Sequence, residues 1–176
     1  MMYYYNNREN ELRIAGLVEE SIVDGPGIRF VIFTQGCPHG CKGCHNPQTH
    51  DFSGGRDESI EKIVSMIDSN PLLKGVTLSG GEPFMQAKKL VKLLNKINNK
   101  ELNVITYTGF TYEELIAKAD EVNGYMELLK ASDILIDGKF ELDKKQEGLK
   151  FRGSSNQRAI DVKQTMETGK VVEYEF

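Results

Sequence analysis

Four short β-prone runs alternate with two apolar helical stripes, and this order narrows the possible folds more than any other feature of the chain. "IRFVIFTQG" (28–36), "GVTLS" (75–79), "LNVITYT" (102–108) and "DILID" (133–137) are rich in β-branched and aromatic residues, as strands are. Between them, Ile60, Ile63, Val64 and Ile67 fall at i, i+3, i+4, i+7, and so do Leu90, Leu93, Leu94 and Ile97. Thr111 with Glu114 reads as a capping box opening a helix over "YEELIAKA". Strand, helix, strand, helix in this sequence predicts βαβ units and a largely parallel α/β sheet. A full barrel of eight such units takes about 250 residues. With 176 residues the chain is expected to form an incomplete βα barrel or an open sheet. "DFSGGRDES" (51–59) and "KKQEGLKFRGSSNQR" (144–158) read as loops.

The polar motifs fall at one kind of place. A cysteine loop follows the first of the four runs, "GGEP" (80–83) the second, "YTGF" (107–110) closes the third and "DGKF" (137–140) the fourth. These are the carboxyl ends of the expected parallel strands, where α/β folds build their active sites. The cysteine loop is the densest of them. All three cysteines and all three histidines of the chain (Cys37, His39, Cys41, Cys44, His45, His50) lie between positions 37 and 50.

Composition limits what that loop can be for. A chain of this length is expected to be one domain and buries enough surface to need no disulfides. The net charge of −4 offers no basic footprint for nucleic acid. No apolar run approaches the roughly 20 residues of a membrane span. "MMYYYNNREN" is no signal peptide, so the chain is expected in the cytoplasm. There, an odd number of clustered cysteines points to metal or redox chemistry.

The spacing is C-x3-C-x2-C. A structural zinc site of the Cys3His type would need His39, His45 or His50 as fourth ligand, whereas such sites usually take ligand pairs from two segments. Three thiolates from one loop suit a 4Fe–4S cluster better, with one iron left open to a small substrate.

C-x3-C-x2-C after a first strand resembles the signature of radical S-adenosylmethionine enzymes, whose fold is an incomplete βα barrel. "DGPGIRFVIFTQGCPHGCKGCHNP" (24–47) and "LSGGEP" (78–83) resemble the subgroup that activates glycyl radical enzymes. "YTGF", "DGKF" and above all "FRGSSNQR" (151–158) are similar to activases of anaerobic ribonucleoside-triphosphate reductase. The resemblance spans residues 12–162, a single catalytic domain, with 1–11 a polar N-terminal segment and 163–176 a C-terminal extension. It implies one 4Fe–4S cluster per chain on Cys37, Cys41 and Cys44, and S-adenosylmethionine on the open iron. It further implies that Gly80, Gly81 and Glu82 hold the methionine amino end, that Gly43 and His45 flank the adenine or ribose, and that Cys44 lies against the cofactor. Lys139, leaving a strand on the same rim, either meets the cofactor carboxylate or is a solvated strand end. One electron from a donor such as flavodoxin or ferredoxin would then cleave the cofactor to methionine and a 5′-deoxyadenosyl radical. That radical would take a hydrogen atom from a glycine of the reductase's glycyl radical subunit. Activation of another glycyl radical enzyme, such as pyruvate formate-lyase, is the neighbouring alternative, and a zinc-held interaction module the distant one.

Three motifs keep two readings each. "DGPG" (24–27) is a tight turn or a loop shaping a partner's approach. Tyr107, Thr108 and Phe110 cradle adenine or pack the rim. Arg152, Ser154, Ser155, Asn156, Gln157 and Arg158 crowd hydrogen-bond donors into one loop that serves either a partner or the cofactor.

Overall fold

A computed structural model describes residues 9–176. Most of the polar N-terminal segment, residues 1–8, lies outside the described residues. The four expected strands are present: β2 (Arg29–Thr34), β4 (Gly75–Gly80), β5 (Asn103–Tyr107) and β6 (Ile134–Asp137). They pair in parallel in that order, Thr34 opposite Gly80, Leu78 opposite Thr106, Tyr107 opposite Ile136. Three more strands complete a seven-stranded mixed sheet, β1 (Glu11–Ser21), β3 (Arg56–Ser59) and β7 (Arg158–Asp161), in the order β3-β1-β2-β4-β5-β6-β7. Each of these three pairs antiparallel with its neighbours. The fold is α/β with a parallel centre and antiparallel flanks.

β3 corrects the reading of 51–59 as loop throughout. Its four polar residues draw no alternating pattern, because an edge strand with little to bury carries none; backbone pairing with Glu11–Ile14 makes it a strand. β7 likewise begins at Arg158, the last residue of the other expected loop.

The helices follow their stripes. α1 (Ile60–Asp68) opens where Ser59 Oγ accepts from the backbone N–H of Lys62, and buries Ile60, Ile63 and Ile67. α2 (Ala87–Lys96) buries Leu90 and Leu93; Ile97, expected in the stripe, is the residue that ends it. α3 (Tyr112–Lys118) carries the expected capping box between Thr111 and Glu114. α4 (Tyr125–Ala131) and α5 (Val162–Thr168) had no expectation; α5 begins at Val162, so the segment 163–176 starts inside a helix. Leu12, Phe30, Ile32, Val76, Leu78 and Leu135 pack with the helical stripes in the main core. Ile105, Ile134, Ile136 and Ala159 form a second, smaller cluster. Beneath these strands Arg29 is buried at 1% exposure. Its Nε donates to Thr77 Oγ1 (2.7 Å), its Nη1 to the Pro26 carbonyl (3.3 Å) and its Nη2 to the carbonyls of Val76 and Asn103 (both 2.9 Å). Burial lowers its pKa to about 10. Among the described residues no helix is long and apolar enough to cross a membrane.

Candidate functional site

All four parallel strands end around one cavity of about 420 Å3. The loop after β2 contributes Cys37, Cys41, Cys44 and His45; the end of β4 contributes Gly80 and Gly81. Tyr107 ends β5 and Thr108 and Gly109 follow it, while Gly138 and Phe140 come from the segment after β6. Strand ends meet here because a parallel sheet points every carboxyl end the same way.

The cysteine loop is held by backbone hydrogen bonds to its own return segment, Gly36 N–H to Thr49 (2.8 Å) and Cys37 N–H to His50 (3.2 Å). All three thiols are free and partly exposed. Burial is the main reason the Cys37 thiol is pushed up to about 11; a hydrogen bond from the backbone N–H of His39 opposes the rise and the charge of Glu82 adds to it. Such a thiol gives up its proton in exchange for a metal cation. As they lie, no three His, Cys, Asp or Glu side chains among the described residues group closely enough to hold one ion. A tetrahedral zinc would require its sulfurs about 2.3 Å from a single centre. A four-iron cluster takes each thiolate on a different iron, and three soft donors on one cavity wall fit it in kind.

The glycine turn is shaped by the chain itself. Gly80 has φ +97°, which L side chains rarely adopt. A Cβ on Gly81 would stand 2.5 Å from the Gly36 carbonyl oxygen. The small residue expected to admit a ligand thus also admits the start of the cysteine loop, which Glu82 N–H grips through that same carbonyl (2.9 Å). Glu82 lies beneath the cavity wall, fully buried. Its Oε1 accepts from Phe84 N–H (3.0 Å) and Thr108 Oγ1 (2.9 Å), and its Oε2 from Gly109 N–H (2.9 Å) and His39 Nε2 (2.6 Å).

Other expected residues scatter. Gly43 faces the Leu142 side chain and is not on the wall, and Lys139 is exposed outside it. Tyr107 lines the cavity and donates its hydroxyl to the Phe151 carbonyl (2.8 Å); burial raises its pKa. Phe110 packs edge-on against His39 instead. Asp24 of "DGPG" lines the cavity, its carbonyl accepting from Thr77 Oγ1 (2.9 Å).

Sequence reasoning left two features of the wall unplaced. Phe140 packs against His45 with ring centroids 4.9 Å apart. Arg152 reaches the cavity, and its Nε is buried with no hydrogen-bond partner among the described residues. Both lie in motifs already marked as polar or aromatic, but nothing in their spacing says which side chain turns inward.

The "RGSSNQR" loop spends most of its donors on the chain. Gln157 Nε2 donates to the Gly138 carbonyl (3.0 Å) and Asn156 Nδ2 to that of Lys139 (2.8 Å). Arg158 donates to Asp137 (Nε to Oδ1, 3.0 Å) and, bidentate, to Glu113 (3.1 and 2.7 Å), bonds that raise its pKa. Asp137 is only 1% exposed. Arg158→Ala strips this carboxylate of its cation, and the expected cost is about 2–3 kcal/mol of stability, read as a shift in the denaturant midpoint. A loss below about 0.5 kcal/mol, the range of ordinary surface substitutions, would show the pair to be unimportant.

Known proteins resemble this chain in sequence. A family described as "4Fe-4S single cluster domain" matches residues 23–160. The anaerobic ribonucleoside-triphosphate reductase-activating protein of Pasteurella multocida is 38% identical over 147 residues, covering 77% of this chain and 89% of the relative. The chain belongs to the family of anaerobic ribonucleoside-triphosphate reductase-activating proteins. Members of that name from Vibrio cholerae (34% identical, covering 77% of this chain and 89% of the relative) and Enterobacteria phage T4 (32%, covering 77% and 85%) show how widely the family is spread. Among solved structures, QueE from Escherichia coli matches 57% of this chain and 54% of its own at 19% identity and a TM-score of 0.44, a likeness too loose to carry an argument.

Proposed function

We propose that this family member is a radical S-adenosylmethionine activase that installs a glycyl radical on anaerobic ribonucleoside-triphosphate reductase. The observation that carries the reading is the meeting of the three-cysteine loop and the "GGEP" turn, from adjacent parallel strands, on one cavity. Membership of the family supplies the reductase as partner, and the three free thiols suit a reducing cytoplasm. We read the open sheet as an incomplete βα barrel with this cavity at its mouth.

Cys37, Cys41 and Cys44 would each hold one iron of a 4Fe–4S cluster, leaving the fourth for the amino and carboxylate groups of S-adenosylmethionine. When bound, the cluster and cofactor supply one-electron cleavage of a carbon–sulfur bond and hydrogen-atom abstraction from a glycine. The chain's own work is placement. Gly80 and Gly81 let backbone approach the methionine end, and His45 with Phe140 offers a π surface to the adenine. Arg152, unpartnered at Nε on the wall, is better placed than Lys139 to meet a carboxylate. A small protein such as flavodoxin or ferredoxin would deliver the electron.

The test is anaerobic reconstitution followed by reduction. Expected are about four irons per chain, an electron paramagnetic resonance signal altered by S-adenosylmethionine, release of 5′-deoxyadenosine, and a glycyl radical on added reductase. One zinc per chain, or a spectrum indifferent to the cofactor, overturns the reading. Radical formation on pyruvate formate-lyase but not on the reductase would move it to the neighbouring activase.

A further inference from the structure

His39 stands in the cysteine loop between two candidate ligands and lines the same cavity, yet its Nε2 is taken by Glu82. It is 6% exposed. Nε2 meets Glu82 Oε2 at 2.6 Å, and the ring packs edge-on against Phe110 with centroids 4.5 Å apart. Any Cβ on Gly109 would collide with the imidazole, so the slot exists only because that residue is glycine. Glu82 in turn binds Thr108 and Gly109 at the end of β5, and its own N–H holds the Gly36 carbonyl.

We infer that His39 and Glu82 are positioning residues, a buried clasp that pins the middle of the cysteine loop to the ends of β4 and β5. The inference rests on the reading of this loop as the cluster's holder, and it gives Glu82 a different task from contact with the cofactor's amino group. Between Cys37 and Cys41 the loop makes no strand or helix of its own, and the backbone bonds of Gly36, Cys37 and Cys44 fasten only its ends, so the shape of its middle before loading depends on side-chain ties. A carboxylate sealed under the wall with four donors around it is a firm anchor for such a tie. The clasp couples three strand ends, so that the thiols and the glycine turn keep a fixed relation whether or not anything is bound. That is what preorganisation of a metal site by the groups behind it requires.

The decisive measurement is backbone hydrogen exchange in the metal-free, full-length protein kept reduced, which reads the loop without needing any cofactor. His39→Leu fills the slot but cannot donate; His39→Gln places an amide N–H near the position of Nε2. Exchange across residues 36–50 should rise about tenfold or more in His39→Leu, as expected when a charge-assisted hydrogen bond is lost from a local opening, while β4 and β5 stay as they were. His39→Gln should recover most of the protection. After anaerobic loading, His39→Leu should keep its iron, and its KM for S-adenosylmethionine should rise about tenfold with kcat little changed, the pattern of lost binding rather than lost chemistry. Unchanged exchange in His39→Leu, or equal exchange in the two variants, overturns the clasp. If exchange behaves as expected but the loaded wild-type protein ignores S-adenosylmethionine, the clasp stands and the functional reading falls.

Discussion

Cys37→Ala, Cys41→Ala and Cys44→Ala should each abolish reductive cleavage of S-adenosylmethionine and leave the anaerobically loaded protein colourless or nearly so. The three thiols come from one eight-residue segment, and among the described residues no other cysteine exists to replace one. Two thiolates cannot hold a cluster that is open at a single iron. The fold should survive, since none of the three is fully buried and the loop lies outside the sheet. Circular dichroism of the variants should therefore match the parent while iron analysis does not. Retention of a full complement of iron by any one of them would remove that residue from the ligand set.

Gly81→Val is expected to damage two things together. The branched side chain would press on the Gly36 carbonyl, which Glu82 N–H needs, and so shift the residue before Cys37. Forcing a side chain into packed backbone typically costs about 1–3 kcal/mol, and here the relief available is movement of the cysteine loop. Iron retention and affinity for S-adenosylmethionine should both fall, by about tenfold or more for the latter if a comparable energy is lost from binding. Normal iron with weakened cofactor binding would instead mean that the glycine serves the ligand alone.

These two sites were unequally legible. The cysteines and the glycine turn are local in sequence, and their positions at strand ends follow from β2, β4, β5 and β6 being buried, β-branched runs. β1 was missed because its apolar residues stop alternating after Ile14, where Gly16 and a register shift against β2 intervene. α4 and α5 are seven residues each, too short for a stripe to repeat. Inside the site, the clasp of His39 and Glu82 joins residues 43 apart in the chain, and the slot that holds it is made by Gly109. No periodicity encodes such a meeting. Lys139 and Arg152 show the same limit: of two cations in the expected motifs, Arg152 lines the cavity and Lys139 is exposed outside it, and neither position tells this in the sequence.

Arg29 has a consequence for assembly of the whole rim. Besides the side-chain oxygens of Thr77 and Asn103, its guanidinium takes backbone carbonyls, which any sequence would offer, from the loop at Pro26, from β4 at Val76 and from β5 at Asn103. Those acceptors coincide only when the three strands are aligned as they are. A slip of one residue would strand a full positive charge in an apolar interior, several kcal/mol uphill even after relaxation. The arginine therefore works as a gauge block at the amino end of the sheet. Strands levelled against it at one end must finish level at the other, which is how three separate turns arrive at the same height above the cavity.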